Sequence, residues 1–171
     1  CRLTIGYLAK LDGGIFLHSQ FETFSAHKFM PCFDQPDLKA TLELQATVPK
    51  SWTVVTSTRE ETVVEAGKDF RTWNFPKSQV MSTYLFSLIA GPFRIWEDSY
   101  QGIKLRLFAR PSLAKYVEPK VWFTATKQGF RFFNDYFAYP YPFKKYDQLI
   151  VPEFAARAME NVAAVTCSER Y

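Results

Sequence analysis

Residues 40–48, Ala-Thr-Leu-Glu-Leu-Gln-Ala-Thr-Val, carry an apolar side chain at every second position along the whole stretch. Successive side chains of an extended chain point to opposite faces, so this strict alternation predicts a strand with one face buried. Shorter runs of the same character follow at 52–56, 62–65, 70–75 and 84–90. Pro49-Lys50-Ser51, Ala66-Gly67-Lys68-Asp69 and Gly91-Pro92 supply turns between several of them. Strands of this length and spacing predict an antiparallel β-sandwich over roughly the first hundred residues.

The texture then changes. Ile103, Leu105, Leu107 and Ala109 alternate with Lys104, Arg106 and Phe108, one more strand closed by Arg110-Pro111. A helix is predicted over 119–137, with Pro119 suited to a first helical turn. Trp122, Ala125, Gly129, Phe132 and Tyr136 recur there at three-to-four spacing, the pattern of a buried helix face. Glycine costs about 1 kcal/mol against alanine inside a helix, so Gly129 predicts a close helix contact. Pro140-Tyr141-Pro142 ends the helix, and 146–151 and 162–167 read as further strands. The chain is therefore β-rich and expected to divide in two, the boundary near 97–101. Residues 1–98 are expected to form a β-sandwich domain truncated at its start, because Cys1-Arg2-Leu3-Thr4-Ile5 reads as the inside of a strand. Residues 99–171 are expected to begin an α+β domain.

Composition narrows the function. With 47% hydrophobic and 18% aromatic residues the chain can bury a core. Its net charge of +4 is mild and its Lys and Arg are scattered, without the basic stripe of a nucleic-acid binder. No run of apolar residues is long enough to span a membrane as a helix. Cys1, Cys32 and Cys167 are odd in number and contain no C-x-x-C pair, which argues for neither a disulfide framework nor a cysteine zinc site and leaves the compartment open. The two histidines, His18 and His27, do not have the four-residue spacing of H-E-x-x-H, so no metal ligands and no catalytic residues are expected within the chain. Nor is there a G-x-S-x-G nucleophile turn.

Two acidic segments remain, and alone each resembles an ordinary solvated surface. Gln20-Phe21-Glu22 is followed by Pro31-Cys32-Phe33-Asp34-Gln35-Pro36, and Pro152-Glu153-Phe154-Ala155-Ala156 leads into Arg157-Ala158-Met159-Glu160-Asn161. The last of these resembles the G-A-M-E-N motif of the aminopeptidase N family of zinc metallopeptidases, and the first two resemble that family's Q-x-E and P-C-F-D-E-P elements. Met81-Ser82-Thr83-Tyr84-Leu85 and Tyr139-Pro140-Tyr141-Pro142-x-x-Lys145-x-Asp147 match two more landmarks, all in the family's order over roughly 17–171.

The resemblance implies an N-terminal β domain followed by the start of a thermolysin-like catalytic domain. Its zinc, a cofactor of the full-length enzyme, would be held in an H-E-x-x-H motif that comes after these residues. It implies that Glu22 and Glu160 supply negative charge to the ammonium of a peptide with a free N-terminus, since a desolvated cation needs a paired anion. Gln20 would help line the pocket for the first side chain, and the Arg157, Ala158, Met159 and Asn161 stretch would run beside the extended substrate. The partners expected are peptide substrates and the remainder of the catalytic domain, and the chain alone is expected to be inactive. One position departs from the motif: its glycine is Arg157. Either the long cation narrows the cleft, or it turns away from it, because neighbouring strand residues face opposite sides. Relatives that open an epoxide on this scaffold carry Gln at the position of Glu22, so the carboxylate argues for a peptidase. A non-catalytic β-sandwich interaction module, or an inactive homologue, is the alternative from another class.

Overall fold

The computed structural model describes residues 10–11, 14–152 and 154–170. Cys1-Arg2-Leu3-Thr4-Ile5 and Glu153 lie outside them. The chain opens with β1 (Lys10–Leu11), β2 (Gly14–Ile15) and β3 (Leu17–His18), then β4 (Leu44–Pro49), β5 (Thr53–Val55), β6 (Thr62–Glu65) and β7 (Phe70–Phe75). It continues through β8 (Ile89–Gly91), β9 (Arg94–Tyr100) and β10 (Ile103–Ala109) to the helix α1 (Pro119–Phe137), and closes with β11 (Lys145–Val151), β12 (Ala158–Met159) and β13 (Ala164–Ser168).

Beside the small β1–β2 hairpin, the described strands build three sheets that stack in layers. The outer sheet, β4-β7-β6, and the middle sheet, β3-β8-β5, are wholly antiparallel. Val54, Phe75 and Ala90 join them, with Leu44, Ala46, Val48 and Trp73 packed around, which is the sandwich that alternation predicts. The third sheet is mixed, in the order β12-β13-β11-β10-β9, with β10, β11 and β13 parallel and the outer pairs antiparallel. Residues 97–101, where the sequence changes texture, fall on its β9–β10 hairpin.

Period two explains how the layers meet. In β5 and β8, Val54 and Ala90 face the outer sheet, while Val55 and Ile89 join Phe108, Leu149, Val151 and Met159 of the third sheet. The middle sheet is therefore buried on both faces. In β10, Ile103, Leu105, Leu107 and Ala109 face α1 and pack with Phe123. Arg106 and Phe108 face the middle sheet, and so, in β11, do Lys145, Asp147, Leu149 and Val151.

Several elements differ from the expectation. The strand at 40–48 begins only at Leu44; Ala40 instead forms an isolated bridge to Met81, its N–H and C=O both bonded at 2.9 Å. The run at 84–90 pairs only from Ile89, because residues 83–85 form a 3₁₀ turn. Hydroxyls draw that turn out of the ladder: Ser82 Oγ donates to the Pro36 carbonyl at 2.5 Å and Thr83 Oγ1 to the Asp34 carboxylate at 3.2 Å. The last strand starts at Ala164, after a turn, instead of at Val162.

The buried face of α1 also differs. Phe123 is buried, with Trp122 and Phe130 packed beside it, whereas Phe132 and Tyr136 are exposed. Aromatic residues lie around much of this helix, so its sequence offers two apolar stripes and spacing does not choose between them. The second stripe, with Phe133 and Phe137, borders a groove of about 740 Å³ between α1 and β11. Gly129 lines this groove, and a Cβ built there meets nothing within 4 Å, so no close helix contact requires glycine. Gly129→Ala is expected to stabilise the chain by about 1 kcal/mol, read as a raised midpoint in denaturant unfolding.

Candidate functional site

The two acidic segments rest on a shared support. Ser19 anchors the first: its N–H donates to the Leu88 carbonyl at 3.0 Å, and its hydroxyl accepts from Leu88 N–H at 2.9 Å. The following Phe21 is buried with Ala26, Met81 and Phe86, so its neighbours Gln20 and Glu22 are held in place, Glu22 exposed and Gln20 half-buried, its Oε1 unpaired among the described residues. Tyr84 and Leu85 pack against this cluster and equally against the cluster that buries Met159. Val162 rests on the Phe21 cluster as well, and its N–H donates to the Leu85 carbonyl at 3.2 Å. His18 and Phe154 meet edge to face at 5.9 Å between ring centroids. The clusters that bury Phe21 and Met159 thus share Tyr84 and Leu85.

The second segment is the rim of the third sheet. β12 pairs with β13 on one side, Ala158 opposite Cys167 and Met159 opposite Thr166, and it ends the strand order on the other. Ser168 N–H donates to the Arg157 carbonyl at 2.9 Å, which makes Arg157 and Ser168 a hydrogen-bonded pair. In an antiparallel ladder such pairs alternate, so Ala158 turns its own N–H and C=O to the open edge. Met159 is fully buried, while Ala158 and Glu160 are exposed and Arg157 is exposed with them. Asn161 is 1% exposed; its amide reaches the Ala164 carbonyl and Thr166 Oγ1 at 3.4 Å, and its Oδ1 is buried without a hydrogen-bond partner among the described residues.

Against the turn that follows Glu160 lies a buried charged group. Lys145 Nζ is buried and donates to the Thr56 carbonyl at 2.7 Å, to Asp147 Oδ2 at 2.7 Å and to the Ala163 carbonyl at 2.8 Å. Arg106 grips the fully buried Asp147 through two bonds of 2.8 and 2.7 Å, and Glu60 stands 3.4 Å from its other nitrogen. Two cations and two anions balance, the condition under which charge is tolerated between sheets. Burial lowers the pKa of Lys145 below its ordinary value despite Asp147, whereas for Arg106 burial is opposed by its bonds to Asp147 and by the charges of Asp147 and Glu60, which together raise its pKa. The signal available was Lys145-x-Asp147, which places both side chains on one face of a strand.

Asp34 stabilises the other segment. Its carboxylate accepts from His27 N–H at 3.1 Å, contacts His27 Nδ1 at 2.9 Å and accepts from Thr83 Oγ1, tying the loop after Glu22 to the turn before Tyr84. Burial favours its neutral form, but the hydrogen bonds from His27 and Thr83, with the charge of His27, together hold the carboxyl below its usual range.

Among the described residues no group of three or more His, Cys, Asp or Glu side chains could hold a metal ion, so these residues do not fit a zinc site. Cys32 and Cys167 are both free. No helix among the described residues is long and apolar enough to cross a membrane.

Residues 7–85 match the Peptidase M1 N-terminal domain and residues 122–171 the Peptidase family M1 domain. Aminopeptidase N of Streptomyces lividans is 39% identical over 169 residues, 96% of this chain and 19% of the relative. Probable aminopeptidase 1 of Sulfurisphaera tokodaii is 32% identical over 95% of the chain and 20% of its own length, and aminopeptidase M1 of Arabidopsis thaliana 34% over 88% and 17%. The chain spans about a fifth of the length of these relatives.

Because the folded pKa of Asp34 is depressed, its contribution to stability is complete above the ordinary carboxylate range. It disappears as pH falls through the depressed value. Asp34→Asn is therefore expected to cost about 2 kcal/mol at pH 7. That difference should shrink as the urea midpoints of both proteins are followed from pH 6 down to pH 2.

Proposed function

The chain belongs to the aminopeptidase N family of metallopeptidases, and from that premise we propose that it forms part of a zinc-dependent aminopeptidase and supplies the surface that recognises the substrate's free N-terminus. One observation carries the reading: the cluster that buries Phe21, between Gln20 and Glu22, and the cluster that buries Met159, next to Glu160, share Tyr84 and Leu85. In this reading residues 1–98 belong to the N-terminal β domain and 99–171 begin the catalytic domain. The zinc is held elsewhere in the full-length enzyme.

An aminopeptidase must tell a terminal ammonium from an internal amide. Glu22 and Glu160, both exposed, offer two carboxylates to that ammonium. Charge-assisted bonds of this kind are shorter and about twice as strong as neutral ones. The Oε1 of Gln20 is an acceptor that adds no charge. Ala158, with its backbone groups turned to the open edge of β12, offers a rung to an extended peptide. Anchoring the first residue and pairing the next brings a single peptide bond into register. Arg157 precedes β12, and by strand alternation its side chain leaves on the face opposite Ala158.

In the full-length protein, Glu160→Gln is expected to raise KM for aminoacyl-anilides on the order of a hundredfold, since truncating one partner of a desolvated charge pair costs ~3 kcal/mol. Glu22→Gln should act in the same direction. Unchanged KM in both variants refutes the assignment. The 171-residue chain by itself, with zinc added, is expected to release no anilide, and turnover above a protein-free blank overturns that part.

A further inference from the structure

Glu160 owes its place to three anchors in the residues that follow it. Asn161 is buried and reaches Ala164 and Thr166 of its own sheet. Val162 donates to the Leu85 carbonyl, beside Phe21. Ala164 N–H donates back to the Asn161 carbonyl at 3.1 Å, closing a four-residue turn in which Ala163 has φ of 57°. A positive φ at the third position of such a turn is the place of glycine, and alanine stays there only when its surroundings insist.

What insists is the Ala163 carbonyl, which accepts two bonds: one from Asp147 N–H at 3.0 Å and one from Lys145 Nζ at 2.8 Å. The same ammonium holds the carbonyl of Thr56, just past β5 in the middle sheet, at 2.7 Å. One buried cation therefore joins the sandwich that carries Gln20 and Glu22 to the turn that follows Glu160. Arg106 satisfies Asp147 in the same cluster, yet its hydrogen bonds go to Asp147 and Glu60 and not to the Ala163 or Thr56 carbonyls.

We propose that Lys145 is a positioning residue for Glu160: by holding the Ala163 turn against the sandwich it sets where the Glu160 carboxylate stands relative to Glu22, and so how tightly a free amine is bound. This rests on the reading of Glu160 as the ammonium ligand. Lys145 touches no substrate; it acts through backbone.

The test uses the full-length protein, with alanine p-nitroanilide as the probe, and reads KM, kcat and thermal midpoint together. Lys145→Met is expected to raise KM on the order of tenfold, because small misplacements of a recognition group are costly, while kcat changes less. Arg106→Met should lower the thermal midpoint comparably and leave KM within about twofold, which separates positioning from plain stability. If Lys145→Met does not fold, Lys145→Gln, which keeps two N–H donors on a shorter stem, must move KM in the same direction. The decisive measurement is a double-mutant cycle. In a Glu160→Gln background Lys145→Met (or Lys145→Gln) should produce no further rise in KM, since both changes disable one ligand. Fully additive effects, or an equal KM rise from Arg106→Met, overturn the proposal. A Glu160→Gln variant with unaltered KM overturns the underlying reading instead, so the two failures are distinguishable.

Discussion

Two sheets that meet face to face normally exclude charge, and the contact between the middle and third sheets is organised around charge that could not be excluded. Lys145, Arg106 and Asp147 lie within it, each less than a tenth exposed. Withdrawing such groups from water costs several kcal/mol per ion, and only near-complete pairing offsets it. Asp147 neutralises two cations, and Lys145 directs its remaining protons to two carbonyls from different parts of the chain. An apolar contact of equal area would hold the layers as firmly but would allow them to slide. Hydrogen bonds of fixed length at a single point allow one register.

Around that point the apolar layers supply the bulk of the adhesion. Val55 and Ile89 on one side and Phe108, Leu149 and Val151 on the other are buried almost completely. Phe93 links this region to the start of the chain through ring contacts with Phe16 at 5.3 Å and Phe108 at 5.9 Å. Gly91 is needed there, because a Cβ would stand 2.5 Å from the Phe16 ring. The recognition segments are then placed by small devices at the edge of the layers: the Asp34 carboxylate, the 3₁₀ turn at Thr83 and the turn at Ala163.

Much of the fold was legible because it obeys simple periods. The strands at 62–65 and 70–75 fall on the residues that alternation and turns would choose, and the helix at 119–137 starts at the proline that suits a first turn, Pro119. The stack of layers was not legible. Arg106 occupies a polar position of an alternating strand and Lys145-x-Asp147 stands at the start of another, and nothing local distinguishes a polar residue facing water from one facing a partner in another sheet. The face of α1 was ambiguous for a different reason, since aromatic residues mark both of its stripes. The candidate site was legible only as motifs. Spacing along the chain carries no sign that Glu22 and Glu160 share a support at Tyr84-Leu85, and the left-handed Ala163 hides behind a residue that ordinarily avoids that conformation.

The doubly buried middle sheet has a consequence for how the polypeptide assembles during synthesis. Its described strands and those of the outer sheet have all been made once Gly91 has left the ribosome, so the sandwich can close early. The opposite face, with Val55 and Ile89, must then wait for β10 and, later still, for β11 and β13. At translation rates of roughly 5–20 residues per second, that leaves an apolar sheet open to solvent for several seconds. The Thr56 carbonyl waits over the same interval for the lysine that will bind it. A nascent chain with this layer order presents a sticky surface at mid-synthesis, and that interval is when a holding chaperone has most to offer.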